Sequence, residues 1–170
     1  GQGILVLTAA WLAEKGLSAE EIAARLAELA PQVDGSFLLD RLDYMRNGGR
    51  CSAISALGAG LLRIKPCIQL SGGRMGVGKK YRGDLPQALT QYVRDRMDRH
   101  PPFTGGEVFI AHPPCREDAV SAVRETLWAS GRFSRVWEAP SGCTVACHCG
   151  PNTLGIMFLP PPLGGPGLDC

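Results

Sequence analysis

Apolar positions along this chain fall into runs that switch between helical and strand periods. From Ile4 to Lys15 nearly every residue is apolar or small and a good helix former, and Gly16 supplies a stop, which predicts a helix buried on several sides. Ser18 precedes Glu21 at capping-box spacing, where each side chain satisfies the other's free amide. Ile22, Leu26 and Leu29 then follow at i, i+4 and i+7, and Pro31 ends the run. Two helices with no strand before them read as the tail of a unit whose sheet lies upstream.

The texture changes at Val33. Ser36–Leu39 reads as a short buried strand with Asp40 capping the turn after it, and Arg41–Asn47 as a brief helix closed by Gly48-Gly49. Ser52–Leu62 is expected to form a helix with Ile54, Leu57 and Leu61 on one face. Ile64–Leu70 and Met75–Arg82 are strand-like and joined by Ser71-Gly72-Gly73, a hairpin loop. Asp84 starts a helix whose Leu85, Leu89, Tyr92 and Val93 share a face, and Glu107–Ala111 follows as a strand. Arg116–Ser130 is a helix aligned on Val120, Val123 and Leu127, with Gly131 as its stop. Phe133–Glu138 and Cys143–Cys147 are expected as the last strands and Pro151–Phe158 as a last short helix. The ending, LPPPLGGPGLDC, is a Pro/Gly tail without a core-forming pattern. The order β-α-α-β-β-α-β-α-β-β-α predicts an α/β fold: a mixed sheet covered by helices over residues 34–158, preceded by a helical segment, 1–33, and followed by a tail, 159–170.

Composition narrows the class. The 170 residues are 45% apolar and 20% charged, which excludes a disordered or fibrous chain. Lys plus Arg number 18 against 16 acidic residues, so the basic excess of a nucleic-acid module is missing. No apolar stretch approaches the ~20 residues of a membrane span. Seven scattered cysteines are too few and too odd in number for a secreted disulfide scaffold, and predict a reduced, cytoplasmic protein. The apolar start lacks the basic residues of a signal peptide, and the chain reads as opening inside a fold.

Three clusters carry candidate chemistry. Gly48-Gly49-Arg50 lets backbone approach closely and offers a planar fork for a carboxylate or phosphate; the plain alternative is a helix stop with a solvated Arg. On the hairpin, strand alternation places Lys80 and Arg82 on one face and Val77, Lys79 and Tyr81 on the other. These charges either protect a solvated edge or dock an anionic partner. The third is Cys147-His148-Cys149-Gly150-Pro151-Asn152. Its spacing does not fit a structural zinc site, and neighbouring side chains on a strand diverge, which argues against a Cys-His nucleophile. The better reading puts His148 at a strand end, beside a turn that begins a helix, where it donates a hydrogen bond to an anion; the plain alternative is a buried, structural histidine. His100 and His112, each before two prolines, read as loop residues.

In combination, GQG…AAWLAEKG, FLLDRLDYMRNGGR, LLRIKPCIQL, GKKYRG and HCGPNTLGI resemble the DegV family of bacterial fatty-acid-binding proteins over about residues 1–158. The resemblance implies two α/β domains with a long-chain fatty acid between them, presented to an ATP-dependent fatty acid kinase subunit that phosphorylates the carboxylate. It implies no catalytic residue, metal or covalent cofactor in this chain, and it makes residues 1–33 a helical remnant of the first domain. By position, His148 is the residue that hydrogen-bonds the carboxylate, and Arg50 and Arg82, extended by Lys80, face the kinase. Ile54, Leu57, Leu61 and Ile68, the densest apolar run near Arg50, are expected to line the acyl chain; the plain alternative is that they form the core. The family's His-Thr-Gly-Pro-Gly is His-Cys-Gly-Pro-Asn here, so Cys149 replaces a hydroxyl and Asn152 a glycine. Two other classes stay open at this point: a small-molecule enzyme using Cys-His chemistry or a bound metal, and an inactive orphan domain.

Overall fold

The computed structural model describes residues 1–49 and 64–160. Arg50, Ile54, Leu57, Leu61, the helix expected at Ser52–Leu62 and the tail from residue 161 lie outside the described residues. Helices α1 (Gln2–Glu14) and α2 (Ala19–Leu29) lead through a 3-10 turn at Ala30–Gln32 into β1 (Asp34–Leu38) and α3 (Asp43–Asn47). The hairpin β2 (Ile64–Ser71) and β3 (Arg74–Arg82) precedes α4 (Leu85–Met97), β4 (Gly106–His112), α5 (Glu117–Ala129), β5 (Phe133–Pro140), α6 (Cys143–Cys149) and β6 (Leu154–Phe158). The strands form one mixed sheet ordered β3-β2-β1-β6-β4-β5, in which β4 and β5 alone run parallel. The α/β class and mixed sheet expected from the pattern are therefore present.

The last two elements are exchanged relative to expectation. Cys143–Cys149 is a helix, not a strand, and Leu154–Phe158 is a strand, not a helix. Thr144 and Val145 gave the first segment β character, but it stands outside the sheet, with Val145 51% exposed. The second was read from Pro151 as a helix start. Its Leu154, Ile156 and Phe158 instead point into the core at strand period, and the segment fills the centre of the sheet between β1 and β4.

One sheet face carries α4 and α5. Leu89, Tyr92 and Val93 from α4 and Val120, Val123 and Leu127 from α5 pack on Leu38, Val108, Ile110, Leu154, Ile156 and Phe158. Burying that area is the main source of stability, at roughly 1.5–3 kcal/mol per large side chain. Tyr92 Oη donates to Ser36 O at 2.8 Å and accepts from Ile156 N at 3.2 Å, so the buried hydroxyl is satisfied. His100 lies in the loop after α4, as expected, and its Nε2 meets Asp34 Oδ2 at 2.7 Å beside the buried Arg96–Asp34 ion pair.

The opposite face is covered in two patches. Ile4, Leu29 and Leu159 join α1 and α2 to Phe109 and Met157. Leu159 thus packs in the core, one residue inside the expected tail. Helix α1 is buried along Ile4, Thr8 and Leu12 only, rather than on several sides, because one face meets the sheet; Val6 stays 65% exposed. The second patch joins α3 and α6 through Leu39, Met45, Ile68 and Cys149.

Candidate functional site

The second patch brings two glycine motifs together across about a hundred residues of chain. Helix α3 ends at Gly48, and α6 ends at Gly150, whose φ is 76°. His148 lies in the last turn of α6 and presses its ring on Gly48, where a Cβ would fall 2.1 Å from His148 Nδ1. Reciprocally, a Cβ on Gly150 would fall 2.3 Å from the Tyr44 ring. Each glycine therefore makes room for an aromatic ring of the other segment. In sequence the pair Gly48-Gly49 signals a helix stop or a close backbone approach, but nothing local says that a histidine is what approaches.

His148 was expected at a strand end, with the amides of a following helix adding positive potential. The structure corrects this: a strand follows, and His148 occupies the C-terminal, electronegative end of a short helix. Its Nδ1 is buried and has no hydrogen-bond partner among the described residues. A proton there would be an unmatched buried donor, at a cost of about 1–3 kcal/mol.

Cys149 diverges from His148 for a helical rather than an alternating reason. Successive helical residues project about 100° apart, which sends its side chain into the Leu39, Met45 and Ile68 cluster, 8% exposed. Burial pushes its thiol pKa up, away from thiolate chemistry. Among the described residues no three His, Cys, Asp or Glu side chains come together as a metal site. Asn152 sits at a φ of 61°, a conformation Asn accepts more readily than most side chains. Its Oδ1 accepts from Arg116 N at 3.2 Å, and Asp40, within 3.5 Å of its Nδ2, is ion-paired with Lys65. The loop after His148 is thereby tied to α5, β1 and β2.

From this end an apolar strip runs along the sheet. Strand register aligns Gly155, Phe37, Ile68 and Val77 in one row across β6, β1, β2 and β3. In the next, Phe109 faces Met157, Met157 faces Gly35, Gly35 abuts Leu70 and Leu70 faces Met75. The two glycines keep the floor low. Leu70 and Met75 are 43% and 41% exposed, whereas Ile68 is wholly buried beneath α3 and α6. A cavity on the other sheet face is lined by Cys67, Tyr81 and the charged Lys79, Asp95, Arg96 and Arg99.

The model of a family described as "Uncharacterised protein, DegV family" matches residues 1–161. The chain belongs to the DegV family. A DegV domain-containing protein of Deinococcus radiodurans is 35% identical over 164 residues, covering 94% of this chain and 56% of that protein. The chain thus spans about half the length of the relatives it matches. A structure titled "Fatty Acid Binding of a DegV family Protein from Thermus thermophilus" superposes with a TM-score of 0.82 at 28% identity, covering 93% of this chain and 56% of the other. The Streptococcus pneumoniae fatty acid kinase (Fak) B3 protein, loaded with linoleic acid, has the same fold, with a TM-score of 0.77 at 19% identity over 91% of this chain and 54% of that one.

Within the DegV frame, the hairpin residues are partly rearranged. A bulge places two residues of β3, Gly78 and Lys79, opposite Cys67 alone, between the Ile68–Val77 and Pro66–Lys80 pairs. Val77 therefore joins Ile68 on the strip, whereas Tyr81 enters the helix-covered core; the two were expected on one face. Lys79 stays with Tyr81 and pairs with Asp95 at 2.6 Å. Lys80 and Arg82 are exposed and project by alternation to the His148 side of the sheet.

Proposed function

We propose that this chain is part of a fatty-acid-binding protein that holds a long-chain fatty acid and presents its carboxylate to an ATP-dependent fatty acid kinase subunit. The observation that carries the reading is His148, seated on Gly48 at the head of an apolar strip in a DegV fold. Its exposed edge donates a hydrogen bond to the carboxylate. The hydrocarbon lies along Phe37, Val77, Met157, Leu70 and Met75, gaining about 0.8 kcal/mol for each methylene removed from water. Ile68 forms the floor of that strip, and Ile54, Leu57 and Leu61, outside the described residues, keep their proposed role of contacting the acyl chain. Arg50, Arg82 and Lys80 meet the kinase subunit, which supplies the chemistry; no side chain of this chain is given a catalytic role. The similarity to a fatty acid kinase B3 protein supports the kinase partner, and a cytoplasmic location goes with an ATP-dependent partner. Residues 34–158 are assigned to the C-terminal domain and 1–33 to the helical part of the N-terminal one, whose remaining surface would cover the exposed Val6 and Leu7.

The experiment is native mass spectrometry of the protein purified from bacteria, followed by fatty-acid titration. The wild-type and Cys149→Ser proteins are expected to retain a long-chain fatty acid. His148→Ala is expected to lose about 10- to 100-fold in affinity, the value of one charge-assisted hydrogen bond. Stoichiometric zinc, or a Cys149→Ser protein that alone is inactive, would replace this reading with the enzymatic one.

A further inference from the structure

We infer that His148 is a neutral imidazole locked in the Nε2–H tautomer by Gly48, so that it meets its ligand as a hydrogen-bond donor without positive charge. The inference deepens the reading of His148 as the carboxylate ligand and rests on it for the identity of the acceptor. Three observations converge. The ring lies with Nδ1 against Gly48, so close that a Cβ would overlap it at 2.1 Å. The Gly48 Cα–H bond that a Cβ would replace points at Nδ1, which suits a nitrogen lone pair and opposes an N–H. That nitrogen is also buried with no hydrogen-bond partner among the described residues, so a proton on it would be unmatched. The remaining proton of a neutral ring is then on Nε2, and the donor direction is set by the glycine rather than by the ligand.

Gly48 is thus a positioning residue, and the specificity of the site follows from it. A neutral donor favours a group that needs one directed hydrogen bond, with the hydrocarbon chain supplying most of the affinity. A cationic site would draw any small anion. Sequence alone does not reach this point, because a Gly-Gly pair after a short helix and a histidine about a hundred residues later carry no mark of contact.

Long-range proton–nitrogen NMR of the ligand-free full chain at neutral pH tests the tautomer, with the His148 signals assigned by their loss in His148→Gln. Nδ1 is expected in the unprotonated range and Nε2 in the protonated range. A protonated Nδ1, alone or together with Nε2, would overturn the inference. Titration with linoleic acid supplies the functional arm. Glutamine carries its amide nitrogen where Nε2 lies and is expected to stay within about tenfold of wild type, whereas His148→Asn, which reaches only the Nδ1 position, should lose about 10- to 100-fold. The reverse order would overturn the donor assignment. If the wild-type protein took up no linoleic acid while Nε2–H was observed, the fatty-acid reading would fail and the tautomer would stand.

Discussion

Gly150 combines a φ of 76° with a site where a Cβ would fall 2.3 Å from the Tyr44 ring, so both backbone and packing demand glycine there. Gly72, in the β2–β3 hairpin, has a φ of 55° but nothing within 4 Å of its Cβ position. Gly72→Ala is therefore expected to cost about 1 kcal/mol, the strain alone. Gly150→Ala should cost at least about 3 kcal/mol, because overpacking adds to that strain. Urea unfolding of the two variants measures the difference, and equal losses would mean that Tyr44 moves aside freely. Cysteines differ just as sharply. Burial pushes the thiols of Cys67 and Cys115 up to about 11, while Cys143 and Cys147 are exposed. In the unfolded chain a thiol ionises near pH ~8.5. The folded state thus binds more protons above that value, and these two thiols make stability fall as pH rises from there toward about 11. At pH ~8, alkylation mapped by mass spectrometry should mark Cys143 and Cys147 well before Cys67, Cys115 and Cys149. Early labelling of Cys149 would contradict its place in the apolar cluster.

Elements are joined at a few defined points, and the joint between β1 and α4 is the most consequential. Asp34, the first residue of β1, pairs with Arg96 near the end of α4, the side chains being only 8% and 7% exposed. Arg96 Nη1 also donates to Gln69 Oε1 at 3.1 Å, so one guanidinium links β1, β2 and α4. Removing the carboxylate strands a buried cation. Asp34→Ala is expected to destabilise by about 3–5 kcal/mol, and Asp34→Asn, which keeps an acceptor, by less. Denaturation midpoints decide the matter; a loss under about 1 kcal/mol for the alanine variant would place the pair among weak surface bridges. Helix α2 shows the opposite regime, since its capping box, Ser18 with Glu21, is local and exposed and was legible from spacing alone.

Over the whole molecule, the sheet separates the face packed by α4 and α5 from the one that carries the apolar strip, His148, Lys80 and Arg82. If Arg82 and Lys80 steer an anionic kinase surface, Arg82→Ala should slow association and flatten its salt dependence while leaving fatty-acid affinity unchanged. Surface plasmon resonance across a salt series measures this, and loss of the lipid instead would move Arg82 into the binding site. The α/β class, the capping box, the hairpin and the amphipathic faces of α4 and α5 were legible in the sequence, because local spacing and turn chemistry determine them. His148 was singled out from its motif, not from its surroundings. The identities of α6 and β6 were not legible, since a short apolar run suits helix or strand equally until neighbours claim its backbone. For Leu154–Phe158 those neighbours are β1 and β4, distant in sequence, and Cys143–Cys149 is left outside the sheet as a helix. The seating of His148 on Gly48 likewise belongs to tertiary structure alone. A glycine's lack of a side chain is visible in a sequence, but the ring that fills the space is chosen only when two distant segments pack.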